Sequence, residues 1–85
     1  MASYRVLLKR SAAKELEALE LKDRRRVVRR IQELADDPRP AGCEKLSGQD
    51  KYRLRQGDYR ILYSVNDSGS EVTVVKIGHR RDGYR

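Results

Sequence analysis

The chain has 85 residues, which is enough for one hydrophobic core and too few for a second. Twenty lysines and arginines face 13 acidic residues, so the net charge is +7 and the isoelectric point is about 9.9. A field of this sign attracts polyanions, and it favours a nucleic-acid partner over a surface that is basic only for solubility. We therefore expect one domain, residues 1–85, that acts on or binds a nucleic acid.

Several classes of protein are disfavoured by what the sequence lacks. Cys43 is the only cysteine, so no intramolecular disulfide and no cysteine-based metal site is expected. One histidine and dispersed acidic residues do not make a metal cluster, and the glycine patterns of phosphate loops and dinucleotide-binding domains are missing. No apolar run is long enough for a signal peptide or a membrane span. We expect a cytoplasmic protein without metal or cofactor.

The first half of the chain reads as one strand followed by two helices. Tyr4 to Lys9 is short and rich in β-formers, which predicts a strand. Ser11 is expected to cap the first helix, and the prolines in Asp36–Pro40 are expected to end the second. Apolar residues recur at helical spacing in both helices. They are Ala12, Ala13, Leu16 and Leu19 in the first, and Val27, Val28, Ile31, Leu34 and Ala35 in the second.

The second half predicts a polar, exposed loop through Gly48 and then three strands. Apolar residues alternate with arginine and serine from Tyr52 to Val65, which is the period of half-buried strands. Gly57-Asp58 between the runs suits a type II′ hairpin turn, and Asn66–Gly69 reads as a second turn. The order β-α-α-β-β-β predicts an α+β fold, in which an antiparallel sheet carries both helices on one face.

The predicted hairpin concentrates positive charge on one face. If the turn is centred on Gly57-Asp58, Arg55 lies opposite Arg60, with Arg53 diagonal to it. Like charges directly opposite each other destabilise a sheet, and arginine cannot relieve the repulsion by losing its proton. Guanidinium groups bind phosphate in bidentate fashion, so this face is a candidate phosphate site. The alternative is that each arginine extends into water or pairs with an acid such as Glu71 or Asp82.

Three further features leave more than one interpretation open. His79 has the side chain whose ordinary pKa lies nearest neutrality, so it is a candidate for proton transfer or simply an exposed histidine. Tyr84 either stacks on a base or anchors the C-terminal tail. The basic face of the second helix is either solvated or in contact with an RNA backbone. That face consists of Arg24, Arg25, Arg26, Arg29 and Arg30.

Motifs along almost the whole chain resemble the RelE/ParE superfamily of toxins. They are SAAKEL at residues 11–16, Asp37-Pro38, KLSG at 45–48, YRLRQGDYRILY at 52–63, and GHRR at 78–81 followed by Tyr84. The resemblance is to the RelE branch, and it implies a fold of the microbial-ribonuclease type. It also implies cleavage of mRNA in the ribosomal A site without a metal ion, by attack of the 2′-hydroxyl on the adjacent phosphate.

The resemblance implies roles for individual residues. Arg53 and Arg55 take the positions of basic residues on the first hairpin strand, and Arg60 matches an arginine that holds the scissile phosphate. Arg80 matches a proton donor or transition-state stabiliser, and Tyr84 matches a tyrosine that orients the substrate. We expect the catalytic residues to be Arg55, Arg60, His79, Arg80 and Tyr84. We expect Lys51, Arg53 and Arg81 to bind the substrate.

One departure from the family concerns the general base. Relatives often carry lysine where this chain has Arg53 and Arg55, and an arginine is a poor base. Either His79 takes that role, or the ribosome and another proton path do, or activity is weak; of these we favour His79. The resemblance further implies an acidic, RelB-like antitoxin as partner, which the +7 charge suits. Two alternatives stay open: a ParE-like inhibitor that acts by binding DNA gyrase, and a relative that binds RNA or ribosomes without cutting.

Overall fold

Two helices and five strands follow one another in residues 3–46, 48 and 50–79, which are the residues that the computed structural model describes. The elements are β1 (Arg5–Leu8), α1 (Arg10–Glu17), α2 (Leu21–Glu33), β2 (Glu44–Lys45), β3 (Lys51–Gln56), β4 (Tyr59–Asn66) and β5 (Glu71–His79). The α+β class with two N-terminal helices is as predicted. Neither helix in the described part of the chain has the length and apolarity to cross a membrane.

The sheet has the order β1-β5-β4-β3-β2, and it differs from the predicted antiparallel meander in two ways. β1 pairs with β5 in parallel, from Arg5 opposite Glu71 to Leu8 opposite Val74. The two-residue strand β2 also pairs with β3, inside the segment that we expected to be a loop. The remaining neighbours, β3 with β4 and β4 with β5, are antiparallel as predicted.

Both helices pack on one face of this sheet and enclose the core. The helices contribute four buried residues to it, and strands β3, β4 and β5 contribute seven. These are Ala12, Val27, Ile31 and Leu34 from the helical segments, and Tyr52, Leu54, Ile61, Tyr63, Val72, Val74 and Ile77 from the strands. The opposite face of the sheet carries the alternate residues of the same strands, most of which are charged or polar.

Helix α1 begins one residue before the position that we expected to cap it. Its N-cap residue is Lys9, in extended conformation and without a side-chain cap hydrogen bond. The Lys9 amide donates to the Val74 carbonyl of β5 at 2.9 Å, while its own carbonyl accepts from the Ala13 amide. The chain therefore passes from strand to helix without a turn, and Ser11 lies inside the helix. The prediction of a Ser11 cap was wrong because tertiary pairing fixes the start.

A bulge in β5 determines which side chains point to the core. Leu62 pairs with Lys76 but Tyr63 pairs with Val74, so Val75 is an extra residue on β5. Alternation from Val74 would otherwise put residue 76 on the core side. The bulge moves Ile77 to the core side instead, and Ile77 is buried.

The segment after α2 is held against the sheet by Arg39, together with the hydrogen bond that the buried Tyr63 hydroxyl donates to the Pro38 carbonyl at 2.7 Å. The Arg39 guanidinium donates to both carboxylate oxygens of Asp67, at 3.2 and 2.8 Å, and to the Tyr52 hydroxyl at 2.9 Å. It also lies 5.3 Å from the centre of the Tyr52 ring. The Tyr4 hydroxyl donates to the same Asp67 at 2.8 Å. Arg39 and Asp67 thus connect the N-terminal segment, the segment after α2, and the turn between β4 and β5.

Candidate nucleic-acid interface

The hairpin of β3 and β4 has the predicted turn and register. Gly57 has a φ of +59°, while Asp58 has no positive φ, which matches a type II′ turn with glycine first. Leu54 pairs with Ile61 and Tyr52 with Tyr63, and these four side chains are buried on the helix side. The turn therefore fixes which residues of the hairpin face away from the core.

Three arginines share the face of the hairpin that points away from the helices; this is the arginine face, made of Arg53, Arg55 and Arg60. Arg55 and Arg60 are direct cross-strand partners. Arg53 lies two residues before Arg55 and therefore on the same face. The structure thus brings together three of the residues predicted from sequence, and strand alternation puts Lys51 on this side as well.

One acidic residue lies beside the arginine face. Glu44 of β2 pairs with Arg53, and its carboxylate lies 3.1 Å from the Arg53 guanidinium. Of the two acids named as partners from sequence, Glu71 instead forms an ion pair with Arg5 at the other edge of the sheet, and Asp82 lies outside the described residues. Glu44 was missed because β2 was read as a loop. Arg53 is therefore locally compensated, whereas Arg55 is exposed and has no ion pair among the described residues.

Arg55 also borders a shallow groove where β3 extends beyond β2. The groove has a volume of about 500 Å³, and Arg30 of α2 contributes to its wall together with Cys43 and Glu44. Two guanidinium groups from different elements therefore line the same open depression. Cys43 is half-buried there.

His79 is not part of the arginine face. Its ring meets the Tyr59 ring edge-on with centres 5.2 Å apart, and the Tyr59 hydroxyl donates to Asp23 of α2 at 3.3 Å. These residues line a cleft of about 240 Å³ between α2 and the hairpin turn, on the helix side of the sheet. Burial and the neighbouring Asp23 raise the pKa of Tyr59 above its ordinary value. The reason for the position of His79 is the bulge at Val75, which places residues 77 and 79 on the helix side.

Three predicted residues fall outside the part of the chain that the structure describes. They are Arg80, Arg81 and Tyr84. Within the described residues, no group of three or more histidine, cysteine or acidic side chains is arranged to hold a metal ion.

The chemistry available on the arginine face is that of fixed positive charge. Arginine keeps its proton at any physiological pH, so these residues bind and stabilise anions but do not accept protons. Such cations suit a phosphodiester whose negative charge grows in a pentacovalent transition state. Apart from the shallow groove beside Arg55, the described part of this face is open, which suits a strand of nucleic acid more than a small molecule.

A family profile covers nearly the whole chain. The profile described as ParE toxin of type II toxin–antitoxin system, parDE, matches residues 6–84. Toxin RelG of Mycobacterium tuberculosis is 38% identical over 34 residues, which are 40% of this chain and 39% of RelG. That match therefore spans well under half of the length of RelG.

Solved structures of similar fold come from bacteria and archaea. The RelBE2 toxin–antitoxin complex of Mycobacterium tuberculosis superposes with a TM-score of 0.81 and 25% identity, over 92% of this chain and 99% of that chain. The RelE–RelB complex of Pyrococcus horikoshii OT3 superposes with a TM-score of 0.81 and 30% identity, over 95% of this chain and 99% of that chain. The isolated RelE toxin of E. coli superposes with a TM-score of 0.80 and 28% identity, over 91% of this chain and 84% of that chain.

Proposed function

The chain belongs to the ParE toxin family of type II toxin–antitoxin systems, within the RelE/ParE superfamily, and we propose that it is a ribosome-dependent mRNA endonuclease. The observation that carries the proposal is the pairing of Arg55 with Arg60 on an open sheet face, beside Arg53. A protein that only needed a stable sheet gains nothing from like charges in direct opposition. A phosphodiester between them offsets the repulsion.

The proposed reaction is attack of an mRNA 2′-hydroxyl on the adjacent phosphorus. The new O2′–P bond forms as the P–O5′ bond breaks, which leaves a 2′,3′-cyclic phosphate and a 5′-hydroxyl. Arg60 and Arg55 hold the non-bridging oxygens as charge accumulates on them, and Arg53 and Lys51 bind neighbouring phosphates. Arg80 is proposed to stabilise the negative charge that develops on the leaving 5′-oxygen, which takes its proton from solvent or from the ribosome, while Arg81 binds the backbone and Tyr84 stacks on a base.

The position of His79 bears on the choice of base. A base must lie within hydrogen-bond reach of the proton that it removes. His79 contacts Tyr59 on the helix side, across the sheet from the arginine face. We therefore propose that the 2′-hydroxyl proton leaves to a group outside this protein, on the ribosome or in solvent.

Primer extension on an mRNA that is being translated in a purified system tests the proposal. New cuts within A-site codons, seen only with ribosomes, are expected for the unaltered protein. Arg60→Ala should lower the cleavage rate by at least about 100-fold, since one preorganised cation at a developing charge has that order of effect. Arg10→Ala, on the exposed first residue of α1, is the matched control. Intact mRNA under conditions where the protein arrests growth would refute the proposal.

The name of the matching family favours a second candidate, which is inhibition of DNA gyrase by binding. An inhibitor of that kind does not need paired guanidinium groups on an open face, so the arginine face favours cleavage. A supercoiling assay separates the two candidates. Gyrase inhibited by the purified protein, together with intact mRNA in the translation assay, would establish the second.

We also propose a cytoplasmic location and an antitoxin partner. Several neighbours of the same fold are complexes of a RelE with a RelB, and one is E. coli RelE with a peptide of RelB. A protein of charge +7 would associate rapidly with an acidic partner and more slowly at high salt. Co-expression with a RelB-like antitoxin should restore growth and yield a co-purifying complex.

A further inference from the structure

The end of β5 lies beside a helix instead of a strand. β1 ends at Leu8, opposite Val74, and no other described strand lies on that side of β5. The Lys9 amide, at the junction with α1, still donates to the Val74 carbonyl. β5 then continues to His79 along α1, whose interior backbone groups are bonded within the helix. An amide of β5 that points to this side beyond Val74 therefore needs a side chain as its acceptor.

Glu15 of α1 supplies that acceptor. Its Oε1 accepts from the Ile77 amide at 2.9 Å, and its Oε2 lies 3.1 Å from Lys76 Nζ. Lys76 and Ile77 directly follow the bulge at Val75. One carboxylate thus holds two consecutive residues of β5, the first by its side chain and the second by its backbone.

The two contacts of Glu15 differ in weight. The side chains of Lys76 and Glu15 are both partly exposed, and an ion pair of that kind contributes little. Ile77 is buried and lies opposite Ile61 of β4, while its amide donates away from β4, to Glu15. Loss of the carboxylate would leave this amide without its acceptor, which is costly in a buried position. The amide contact is therefore the one that fixes the strand.

The end of β5 that Glu15 holds is the support of Arg60. Arg60 is paired with Gly78, the residue after Ile77. Gly78 has no side chain, so the β5 backbone alone borders Arg60 on this side, with Arg55 on the other. Arg80, outside the described residues, follows this strand directly in the sequence. A shift of β5 at Ile77 would therefore change the surroundings of Arg60.

We propose that Glu15 is a positioning residue for the cleavage reaction. The inference rests on the proposed function and deepens it, because it assigns a role to a side chain of α1 that is not part of the arginine face. Glu15 acts through the Ile77 amide: it holds the end of β5 in the register that the bulge sets, and β5 holds Arg60 beside the scissile phosphate. A misplacement of about 1 Å can cost about 100-fold in rate. Loss of this anchor therefore slows the chemical step and leaves binding to the ribosome largely unchanged.

Single-turnover cleavage of mRNA on purified ribosomes, measured over a range of protein concentrations, tests the role. Glu15→Ala removes both contacts and keeps a strong helix former. We expect its maximal rate to fall about 10- to 100-fold, while the concentration for half-maximal rate stays within about twofold. Glu15→Gln keeps an oxygen that can accept from the Ile77 amide, and Lys76→Gln removes only the ion pair. Both should therefore stay within about threefold of the unaltered protein.

Glu17→Ala is the matched control, because Glu17 is an exposed glutamate of the same helix and has no ion pair among the described residues. Amide hydrogen exchange followed by NMR separates positioning from a general loss of stability. In Glu15→Ala the Ile77 amide should exchange at least about tenfold faster. The Lys9 amide, bonded to Val74 at the same edge of β5, should keep its exchange rate.

Three results would overturn the proposal. The first is a maximal rate for Glu15→Ala close to that of the unaltered protein. The second is equally faster exchange at Ile77 and Lys9, which would mean that the substitution destabilises the whole fold. The third is an equal loss of rate in Glu15→Gln and Glu15→Ala, which would assign the effect to charge instead of the hydrogen bond.

Failure of the proposed function would look different from failure of this inference, because the unaltered protein would then leave mRNA intact. That result would refute cleavage and with it the role of Glu15 in cleavage. Faster exchange confined to the Ile77 amide would in that case still show that Glu15 anchors the end of β5.

Discussion

Arg55 and Arg60 lie opposite each other across the hairpin. The repulsion between their charges destabilises the sheet, and the same charges attract a phosphate. Arg55→Thr removes the repulsion and adds a good β-former. We expect the free energy of unfolding, measured with urea, to rise by a few tenths to about 1 kcal/mol. Cleavage on ribosomes should fall at least about tenfold. Arg53→Thr is the comparison, because Arg53 already has Glu44 as a partner and its loss should bring no such gain in stability.

For His79, the sequence predicts the chemistry of the side chain but not the side of the sheet on which it lies. A histidine is the natural candidate for proton transfer. The side of the sheet on which it lies, however, depends on the bulge at Val75, four residues earlier. Because its ring contacts Tyr59 on the helix side, we expect His79→Gln to keep the cleavage rate within about threefold of the unaltered protein, well short of the 100-fold or more typical of a lost general base.

Single-turnover cleavage at saturating protein measures this directly. A rate lowered by 100-fold or more, with ribosome binding preserved, would show that His79 reaches the substrate. Tyr59→Phe serves as the control for the cleft, since it removes the hydrogen bond to Asp23 and leaves the ring contact in place.

At the scale of elements, the hairpin depends on one backbone conformation. Gly57 has a positive φ, and no atom lies within 4 Å of the place where a Cβ would stand. The cost of Gly57→Ala is therefore conformational and should lower the free energy of unfolding by about 1 kcal/mol in urea titrations. Gly57→Asn should lose less, because asparagine tolerates this region. Equal losses for the two variants would indicate a steric cause instead.

The hairpin was predictable in register because its signals are local. Glycine before Asp58 and strict alternation on either side determine which residues pair, and all six pairs follow. The strand β2 was not predictable, since Glu44 and Lys45 are poor β-formers that pair only because β3 offers an edge. The parallel pairing of β1 with β5 depends on how the two helices cross the sheet, and no short stretch of sequence determines that. The dense apolar run from Val72 to Ile77 was the available sign of a central strand.

At the scale of the whole molecule, Asp67 connects segments that are far apart in sequence. Hydrogen bonds from Arg39 and then from Tyr4 hold the pKa of Asp67 below its ordinary value of 3.8. A carboxyl whose pKa is lowered by folding stabilises the native state above its unfolded pKa, and this contribution is lost as the pH falls through the folded pKa. The contacts therefore support the fold at neutral pH and fail below about pH 3.8.

We expect Asp67→Asn to be less stable than the unaltered protein at pH 7, with the difference shrinking as the pH is lowered below 3.8. Urea unfolding at a series of pH values measures it. Asp36→Asn is the control, because Asp36 is exposed and has no ion pair among the described residues. A constant difference between the Asp67 variant and the unaltered protein at all pH values would contradict the assignment.

The bulge at the extra residue Val75 determines which of the following β5 side chains face the core. If β5 kept all its residues but alternated regularly through Val75, Lys76 would turn inward and His79 would lie on the side of Arg55 and Arg60. Deletion of Val75 would instead remove the bulge and leave Lys76 and His79 on their present sides. In evolution or in design, loss of the bulge without loss of a residue would therefore offer the arginine face an imidazole without altering any side chain.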